Sequence, residues 1–382
     1  MVQLTLGVMA RSLKENERRL PLHPKHVDRI PEELRGRIFL ETGYGERHGV
    51  SDAQLQPFVG GFRSREQLVE ECDIILAPKP LLDDISGLRA GQVLWGWPHC
   101  VQDSELTQVA IDRQLTIIAF EAMNHWNDDG SFSLHVFHKN NELAGYCSVL
   151  HALQIAGITG DYGPQRSAVV IGFGATARGA VTALKALGVN EVDVMTHRHK
   201  AAVASPIHSA RIVHFFTDDT TDRVSHAATD EGPVPLGEFL SGYDIVVNCV
   251  LQDTDAPITF MTEEDLAQMT PGSLVIDVSC DEGMGFSWAK PTTFTEPTFL
   301  IGDHVLYYAV DHSPSYLWDA ATWEISEALL PFLAVILGGP EEWEASPTIR
   351  RAVEIRSGEI QNPAIISFQG RSSKHPHAPL AT

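Results

Sequence analysis

The 382-residue sequence has few cysteines, no long apolar run and no secretory-type N-terminus. Its five cysteines are scattered without CxxC spacing, which argues against a disulfide framework and a cysteine zinc site. No uninterrupted apolar run reaches the roughly eighteen residues of a membrane span. The N-terminal stretch lacks an apolar region with a small-residue cleavage site. We therefore expect reduced thiols, a cytoplasmic location and no membrane partner.

Positive charge is also scarce. The sequence has 28 Lys+Arg against 50 Asp+Glu, and the resulting net charge of -22 repels nucleic acid and anionic membranes. His135, His138 and His151 lack the HExxH spacing of a metal site, so no metal is predicted. The length predicts two or three domains, and the composition is that of an ordinary soluble enzyme.

Residues 167–200 contain the pattern of a strand, a glycine turn, a helix and a second strand. A β-branched apolar run at 169–171 precedes the turn, helix-period spacing continues to Leu187, and a second apolar run lies at 192–195. The turn GFGATA matches the GxGxxA spacing of dinucleotide-binding units. The complete pattern favours a dinucleotide site over a purely structural turn, which is the alternative.

The residues of this turn have separate predicted roles. Gly172 permits the sharp turn, Gly174 lets backbone N–H groups approach a pyrophosphate, and Ala177 is small enough for helix–sheet packing. The anion is expected at the helix N-terminus. We predict cofactor contacts from Gly172, Gly174, Ala175, Thr176 and Ala177.

Cofactor choice depends on the end of the second strand. An NAD site usually has an Asp or Glu there for the ribose hydroxyls, whereas this sequence reads THRHK from Thr196. A 2′-phosphate would meet Arg198, with Thr196 and His197 nearby. We therefore predict NADPH, with NADH less favoured. The alternative interpretation is a solvated basic loop.

The N-terminal half carries candidate chemistry in a basic loop and at predicted strand ends. Arg18 and Arg19 precede Pro21, which holds the backbone extended and can aim a guanidinium group at a carboxylate, although such loops are often only solvated. Lys79 lies between two prolines after an apolar run, and His99 follows the next one. Because parallel strands end at one sheet edge, both are expected to face one crevice and to transfer a proton. The alternative for His99 is a core histidine bonded to a carbonyl.

A later buried strand, residues 273–279, precedes Asp281 and a glycine turn. Asp281 is predicted to orient the histidine or hold a ribose, and capping the turn is the alternative. Asp277 is a further predicted cofactor contact. Residues 318–337 have the pattern of one long amphipathic helix, which returns to the first domain or forms a subunit contact. We therefore expect a homo-oligomer.

Seven motifs follow one another along nearly the whole chain: KENERRLPLHP, PKP, WPHC, NNELAG, IGFGATARGA, IDVSCDEGMG and VDHSPS. Together they resemble the alanine dehydrogenase/saccharopine dehydrogenase superfamily, and within it most closely the N5-(carboxyethyl)ornithine synthases. VDHSPS is similar to the DHxPS pattern of the saccharopine and carboxyethylornithine enzymes, whereas alanine dehydrogenases read close to ANMPG. The resemblance therefore favours the coupling branch over ammonia chemistry.

The resemblance implies an α/β fold of two Rossmann-like domains with parallel sheets and a cleft between them. The discontinuous substrate domain would take residues 1–135 and 307–382, and the dinucleotide domain residues 136–306. It also implies an oxidoreductase of amino-acid metabolism, acting on CH–NH bonds, that reduces the imine of a pyruvate-like 2-oxo acid and an ornithine- or lysine-like amine.

Carried over by position, the family roles fall on five residues. Arg19 would bind the oxo acid carboxylate, with Arg18 as its competitor, while Lys79, His99 and Asp281 would be catalytic. The alternatives are an alanine dehydrogenase, a saccharopine dehydrogenase and a nucleotide-binding regulator without activity.

Overall fold

The computed structural model describes residues 4–197, 210–218, 224–252, 257–372 and 374–378. The chain divides into two compact units. Unit 1 comprises residues 1–138 and 318–382, and unit 2 comprises residues 139–317. Unit 2 is thus one continuous segment, and in the sequence it lies between the two segments of unit 1.

The strands of the described residues are β1 (Leu6–Val8), β2 (Ile38–Glu41), β3 (Gly61–Arg63), β4 (Ile74–Ala77), β5 (Val93–Gly96), β6 (Thr116–Ala119), β7 (Asn124–Trp126), β8 (Phe132–His135), β9 (Ser167–Ile171), β10 (Glu191–Thr196), β11 (Arg211–Thr217), β12 (Ser225–Thr229), β13 (Gly232–Pro235), β14 (Ile245–Asn248), β15 (Thr259–Met261), β16 (Leu274–Asp277), β17 (Gly285–Phe286), β18 (Thr298–Ile301), β19 (Val305–Tyr308), β20 (Val353–Arg356) and β21 (Glu359–Ile360).

The α-helices are α1 (Glu32–Arg35), α2 (Asp52–Leu55), α3 (Arg65–Glu71), α4 (Leu82–Ser86), α5 (Ser104–Asp112), α6 (His138–Ala156), α7 (Ala175–Ala186), α8 (Leu236–Ser241), α9 (Trp318–Leu329), α10 (Leu333–Gly338), α11 (Pro340–Ala345), α12 (Pro347–Ala352) and α13 (Pro363–Phe368). Short 3₁₀ helices lie at Pro24–Arg29, Glu46–His48, Gln56–Phe58, Phe120–Ala122, Asp265–Gln268, Ser313–Leu317 and Leu330–Phe332.

The sheet of unit 1 has the order β3-β2-β1-β4-β5-β6, followed by β20 and β21. The six leading strands are parallel, and β20 runs antiparallel to β6. Strands β4, β5 and β6 are buried along their whole length, which explains why they are continuous apolar runs without alternation. The strand order reverses between β1 and β4, where ligands of such sheets collect.

The sheet of unit 2 repeats this order as β11-β10-β9-β14-β16-β19, all parallel. Antiparallel strands β12 and β13 extend one edge, and β18 extends the other. Each unit therefore has the 3-2-1-4-5-6 order of a Rossmann sheet. The predicted α/β class with two Rossmann-like domains and mostly parallel sheets is confirmed.

The predicted C-terminal helix is interrupted. A 3₁₀ turn at Leu330–Phe332 separates α9 from α10, because Pro331 has no N–H to donate within a continuous helix. The prediction of one unbroken helix at 318–337 was therefore wrong. Its apolar face enters the core of unit 1, where Ile325, Leu329 and Leu333 are fully buried. Burying each such side chain stabilises the folded chain by roughly 1.5–3 kcal/mol relative to leaving it exposed.

The helical segment Ser313–Gly338 is long and apolar enough to cross a membrane by length and composition, with a mean hydropathy of 1.5. A core helix of a globular protein passes the same test. Of the 18-residue stretch that meets it here, 44% is buried inside the structure. One such segment is weak evidence for a membrane span.

Candidate active site

Lys79 and His99 follow two adjacent parallel strands of unit 1, β4 and β5. Gly96 ends β5 so close to its neighbour that a Cβ there would lie 2.0 Å from the Ala77 carbonyl oxygen. Only glycine permits this approach. Lys79 Nζ lies 2.9 Å from His99 Nε2. The structure thus brings the two predicted proton-transfer residues within hydrogen-bond distance.

His99 has a left-handed backbone conformation, with φ of 51°, which is uncommon for a residue with a side chain. Its backbone N–H donates to Glu121 Oε1 at 2.8 Å. The same oxygen lies 3.9 Å from His99 Nδ1. Glu121 follows β6, so three neighbouring strand ends supply the lysine, the histidine and the carboxyl group.

Glu121 is the one member of this group that had no predicted role. Burial, together with the nearby Glu354 carboxyl group, raises the pKa of Glu121 to about 8. Burial also raises the pKa of Glu354, which is 3% exposed and accepts a hydrogen bond from Asn362 Nδ2 at 3.0 Å. Because two such carboxyl groups do not both ionise readily, the pair holds a proton beside His99 near neutral pH.

Arg19 and Arg18, the two candidates for carboxylate binding, differ in burial. The Arg19 side chain is 4% exposed and lies over the Trp97 ring, 5.3 Å from its centroid. Its Nε donates to Glu17 Oε1 at 2.8 Å, and its Nη2 contacts the other carboxylate oxygen. Glu17 thus fixes the guanidinium plane of Arg19 beside Trp97, which is two residues before His99 in the sequence.

Arg18 is exposed, and its carbonyl oxygen accepts a hydrogen bond from Arg47 Nη1 at 3.1 Å. Burial and the nearby Arg18 and Arg11 charges lower the pKa of Arg47. Arg11 and Arg47 line a cavity of about 580 Å³ together with Leu20 and Tyr44. The three arginines are exposed, and Glu46 lines the same cavity.

The glycine turn of unit 2 connects β9 to α7. Gly172 has φ of 120°, and a Cβ there would lie 3.1 Å from the Cys249 carbonyl oxygen, so this position requires glycine. Gly174 is the N-cap of α7, and a Cβ there would meet nothing within 4 Å. Ala175 and Thr176 begin the helix, and Ala177 is fully buried.

This turn fits the pyrophosphate of a dinucleotide. Gly174 leaves open space at the N-terminus of a twelve-residue helix, where backbone N–H groups and the helix dipole favour an anion. A bound nicotinamide cofactor supplies hydride chemistry that the side chains do not have.

The end of β10 bears on cofactor choice only in part. Thr196 is 2% exposed, and His197 is exposed, with its carbonyl oxygen accepting from His214 Nε2 at 3.0 Å. Arg198 lies outside the described residues. Its predicted contact with a 2′-phosphate stays a prediction.

Asp277, the last residue of β16, and Asp281, which follows the strand, occupy different environments. Asp277 is fully buried and accepts hydrogen bonds from Asn248 Nδ2 at 2.9 Å and Tyr307 Oη at 2.8 Å. Burial raises its pKa to about 6. Its carboxylate thus joins strands of the sheet, and its predicted cofactor contact stays a prediction.

Asp281 lies at the carboxyl edge, is partly exposed and directly follows Cys280, whose φ is 48°. Burial raises the pKa of Asp281. A strained backbone therefore precedes this aspartate, as it occurs at His99 itself, and such strain is common at functional sites.

Known proteins resemble the chain along most of its length. An L-alanine dehydrogenase structure matches with a TM-score of 0.74 and 19% identity, covering 96% of this chain and 99% of that chain. A transhydrogenase structure from Sinorhizobium meliloti matches with a TM-score of 0.69 and 20% identity, covering 94% and 99%. At these identities the two structures support the fold alone.

Two curated relatives have similar identity to this chain. Alanine dehydrogenase of Halomonas elongata is 26% identical over 345 residues, covering 85% of this chain and 86% of the relative. N(5)-(carboxyethyl)ornithine synthase of Clostridium botulinum is 25% identical over 327 residues, covering 82% and 89%.

Family models cover nearly the whole chain. The N-terminal domain of Alanine dehydrogenase/PNT matches residues 7–144, and the C-terminal domain of Alanine dehydrogenase/PNT matches residues 152–363. The chain therefore belongs to the alanine dehydrogenase/PNT family, and it is an NAD(P)-dependent oxidoreductase of the type that acts on CH–NH bonds.

Proposed function

We propose that this enzyme uses NADPH to reduce the imine formed between a pyruvate-like 2-oxo acid and the amine of an amino acid. The observation that carries the proposal is the 2.9 Å contact between Lys79 Nζ and His99 Nε2 at adjacent strand ends. Imine formation and reduction both need proton transfer near neutral pH, which such a pair supplies.

The side chains of unit 1 have distinct proposed roles. Arg19 binds the oxo acid carboxylate, because its buried guanidinium is held by Glu17 and backed by Trp97. Lys79 stabilises negative charge on the oxygen that leaves during condensation, and His99 transfers the proton. Glu121 orients His99 by accepting its backbone N–H. Asp281 of unit 2 is the proposed third catalytic residue.

We assign cofactor binding and substrate binding to different units. Unit 2, with the glycine turn, binds the dinucleotide, and the discontinuous unit 1 binds the substrates. This proposal keeps the predicted arrangement, with the limits moved to 138/139 and 317/318. A cytoplasmic location and a homo-oligomer belong to the same proposal.

The choice of coupling over ammonia rests on the DHSPS segment. His312 is 3% exposed, its Nδ1 contacts the Asp311 carboxylate, and its ring packs edge-on against Phe294. This pair of buried His312 and partly exposed Asp311 occurs where alanine dehydrogenases read close to ANMPG. An alanine dehydrogenase remains the second candidate, because curated relatives with that name are as similar to this chain as the synthase is.

NADPH is the proposed cofactor because β10 ends without a carboxylate, at Thr196-His197, and is followed by Arg198 in the sequence. The test is oxidation of NADPH and of NADH in the presence of pyruvate, glyoxylate or 2-oxoglutarate. Each oxo acid is combined with ammonia or with one of a panel of amino acids, and product masses are recorded.

Turnover that requires an amino acid and yields a secondary amine is the expected result. Turnover with ammonia alone would assign the enzyme to alanine dehydrogenase chemistry. If NADPH binds and no pair reacts, the proposed coupling is wrong, and a binding role without turnover replaces it.

A further inference from the structure

Two histidines and an aspartate from distant parts of the sequence converge in unit 1. One ring nitrogen each of His23 and His48 and one carboxylate oxygen of Asp319 all lie within 4.8 Å of one another. Asp319 Oδ1 is 3.4 Å from His23 Nε2 and 3.2 Å from His48 Nε2. None of these residues has a role in the proposed reaction.

The environment of His48 indicates a missing partner. Its side chain is only 6% exposed, yet neither ring nitrogen has a hydrogen-bond partner among the described residues. Asp319 Oδ1 is near but outside hydrogen-bond geometry. Burying an imidazole without a partner is unfavourable, and a ligand that accepts a nitrogen lone pair removes that penalty.

We propose that His23, His48 and Asp319 bind a transition-metal dication of the zinc class. In a tetrahedral zinc site with bonds of about 2.0–2.2 Å, ligand atoms lie roughly 3.3–3.6 Å apart. Two of the measured separations, 3.2 and 3.4 Å, are close to this spacing. Two imidazoles with one carboxylate select zinc-type metals over magnesium and calcium, which prefer all-oxygen sites.

The donor set is also suitably placed. The Nε2 atoms of both imidazoles lie next to the same Asp319 oxygen, so all three donor atoms can reach one ion. The Lys25 N–H donates to His23 Nδ1 at 3.1 Å. Coordination through Nε2 shifts the ring proton to Nδ1 and gives up this one hydrogen bond in exchange for a coordination bond.

The surroundings indicate a bracing role for the ion. Asp319 is the second residue of α9, its side chain is 67% exposed, and the fourth coordination position therefore faces water. Trp318 packs edge-on against His48 and Trp323 against His23, which limits rotation of both rings. A bound ion would thus tie the start of α9 to the segment that carries Arg19.

The test measures metal binding by the full, tag-free chain after treatment with a chelator and dialysis. Cobalt(II) and zinc(II) are titrated separately, cobalt by its absorption and zinc by calorimetry. We expect one equivalent to bind, with the intense visible bands of tetrahedral cobalt(II) and no thiolate charge-transfer band. Asp319→Asn and His48→Gln should each weaken binding by about 100-fold or more, since even outer-shell changes cost 10–100-fold.

Matched controls are the exposed residues Asp303→Asn and His125→Gln, which should bind like the unaltered chain. Asp319 is exposed, so the thermal midpoint of metal-free Asp319→Asn should equal that of the metal-free parent, while added zinc should raise only the parent's midpoint. Equal binding by all variants, a thiolate band or no stoichiometric binding would overturn the proposal. Turnover is not a readout here, so the result is independent of the proposed reaction.

Discussion

Lys79 Nζ lies 2.9 Å from His99 Nε2, although the two residues are 20 positions apart in the sequence. When the Lys79 amine is protonated it can only donate, and Nε2 then accepts while the ring proton lies on Nδ1. Glu121 Oε1 is on that side, 3.9 Å from Nδ1. Lys79 therefore lies on the Nε2 side of the imidazole, and the Glu121 carboxyl group lies on the Nδ1 side.

Removing either member of this pair should abolish most turnover. We expect Lys79→Met and His99→Gln each to lower kcat/KM by about 10²–10⁴-fold, the usual contribution of a positioned acid or base. NADPH affinity, measured by equilibrium binding, should not change, because the glycine turn lies in the other unit. The exposed Lys290→Met is the matched control. Unchanged turnover in both active-site variants would remove the pair from the mechanism.

The neighbouring carboxyl groups of Glu121 and Glu354 should make the free energy of unfolding depend on pH. The pKa of Glu121 is raised to about 8, whereas an unfolded glutamate has a pKa of about 4.3. Between these values the folded chain binds a proton that the unfolded chain does not. The contribution of this group to the free energy of unfolding therefore falls as pH rises, by at most about 1.4 kcal/mol per pH unit.

Glu121→Gln keeps an acceptor for the His99 N–H and removes the titration. We expect it to flatten the pH dependence of denaturant-induced unfolding between about pH 5 and about pH 8. Glu354→Gln should act in the same direction, since burial raises the pKa of Glu354 as well. The exposed Glu263→Gln is the control and should retain the slope of the parent. A slope in Glu121→Gln equal to that of the parent would contradict the assignment.

Much of the fold was predictable because buried parallel strands are continuous apolar runs, and each run ends in turn residues. The runs before Lys79 and His99 placed both at neighbouring strand ends, and the glycine turn before α7 identified the second Rossmann unit. These signals are local in sequence, which is why they were readable without a structure.

Other features depend on contacts between distant segments. Glu121 meets Glu354 only because β20 returns antiparallel to β6, and no spacing rule connects the two. The sequence likewise could not decide between Arg18 and Arg19, since adjacent residues in an irregular loop have no fixed facing. Asp319 and His23 are 296 positions apart and meet in the folded unit.

The two adjacent arginines should behave differently when changed to lysine. Arg19→Lys keeps the charge that balances buried Glu17 but loses the two-pronged guanidinium geometry. We expect the KM for the oxo acid to rise about 10–100-fold, the value of a charge-assisted hydrogen bond. Arg18→Lys, on the exposed side of the loop, should lose far less. The comparison is made by steady-state kinetics with the oxo acid varied, and equal losses would contradict the assignment.

Arg198 should determine cofactor preference if the basic residues after β10 meet a 2′-phosphate. Arg198→Ala is expected to raise the KM for NADPH by about 10–100-fold through loss of a charge-assisted contact. The KM for NADH should stay the same, which makes NADH the internal control. An equal change for both cofactors would show that this residue does not read the phosphate.

Gly174 offers a test of the glycine turn that is separate from folding. Its φ of -83° and the empty surroundings of an added Cβ mean that Gly174→Ala should unfold at the same denaturant concentration as the parent. If the backbone at this position approaches the pyrophosphate, the methyl group occupies the ligand's space, and the Kd for NADPH should rise about tenfold or more. Gly36→Ala, at an equally open position with φ of -64°, is the matched control and should bind NADPH normally.

Gly179 provides the contrasting case, a glycine that is required for helix packing and not for ligand binding. A Cβ at Gly179 would lie 1.8 Å from the Glu142 carbonyl oxygen, so Gly179→Ala must separate α7 from α6. We expect this variant to lose about 1–3 kcal/mol of unfolding free energy or more, as overpacked cores do, whether or not NADPH is present. Weak NADPH binding by Gly174→Ala at parental stability, together with instability of Gly179→Ala, would distinguish the ligand-facing glycine from the packing glycine. Parental binding by Gly174→Ala would place the pyrophosphate elsewhere.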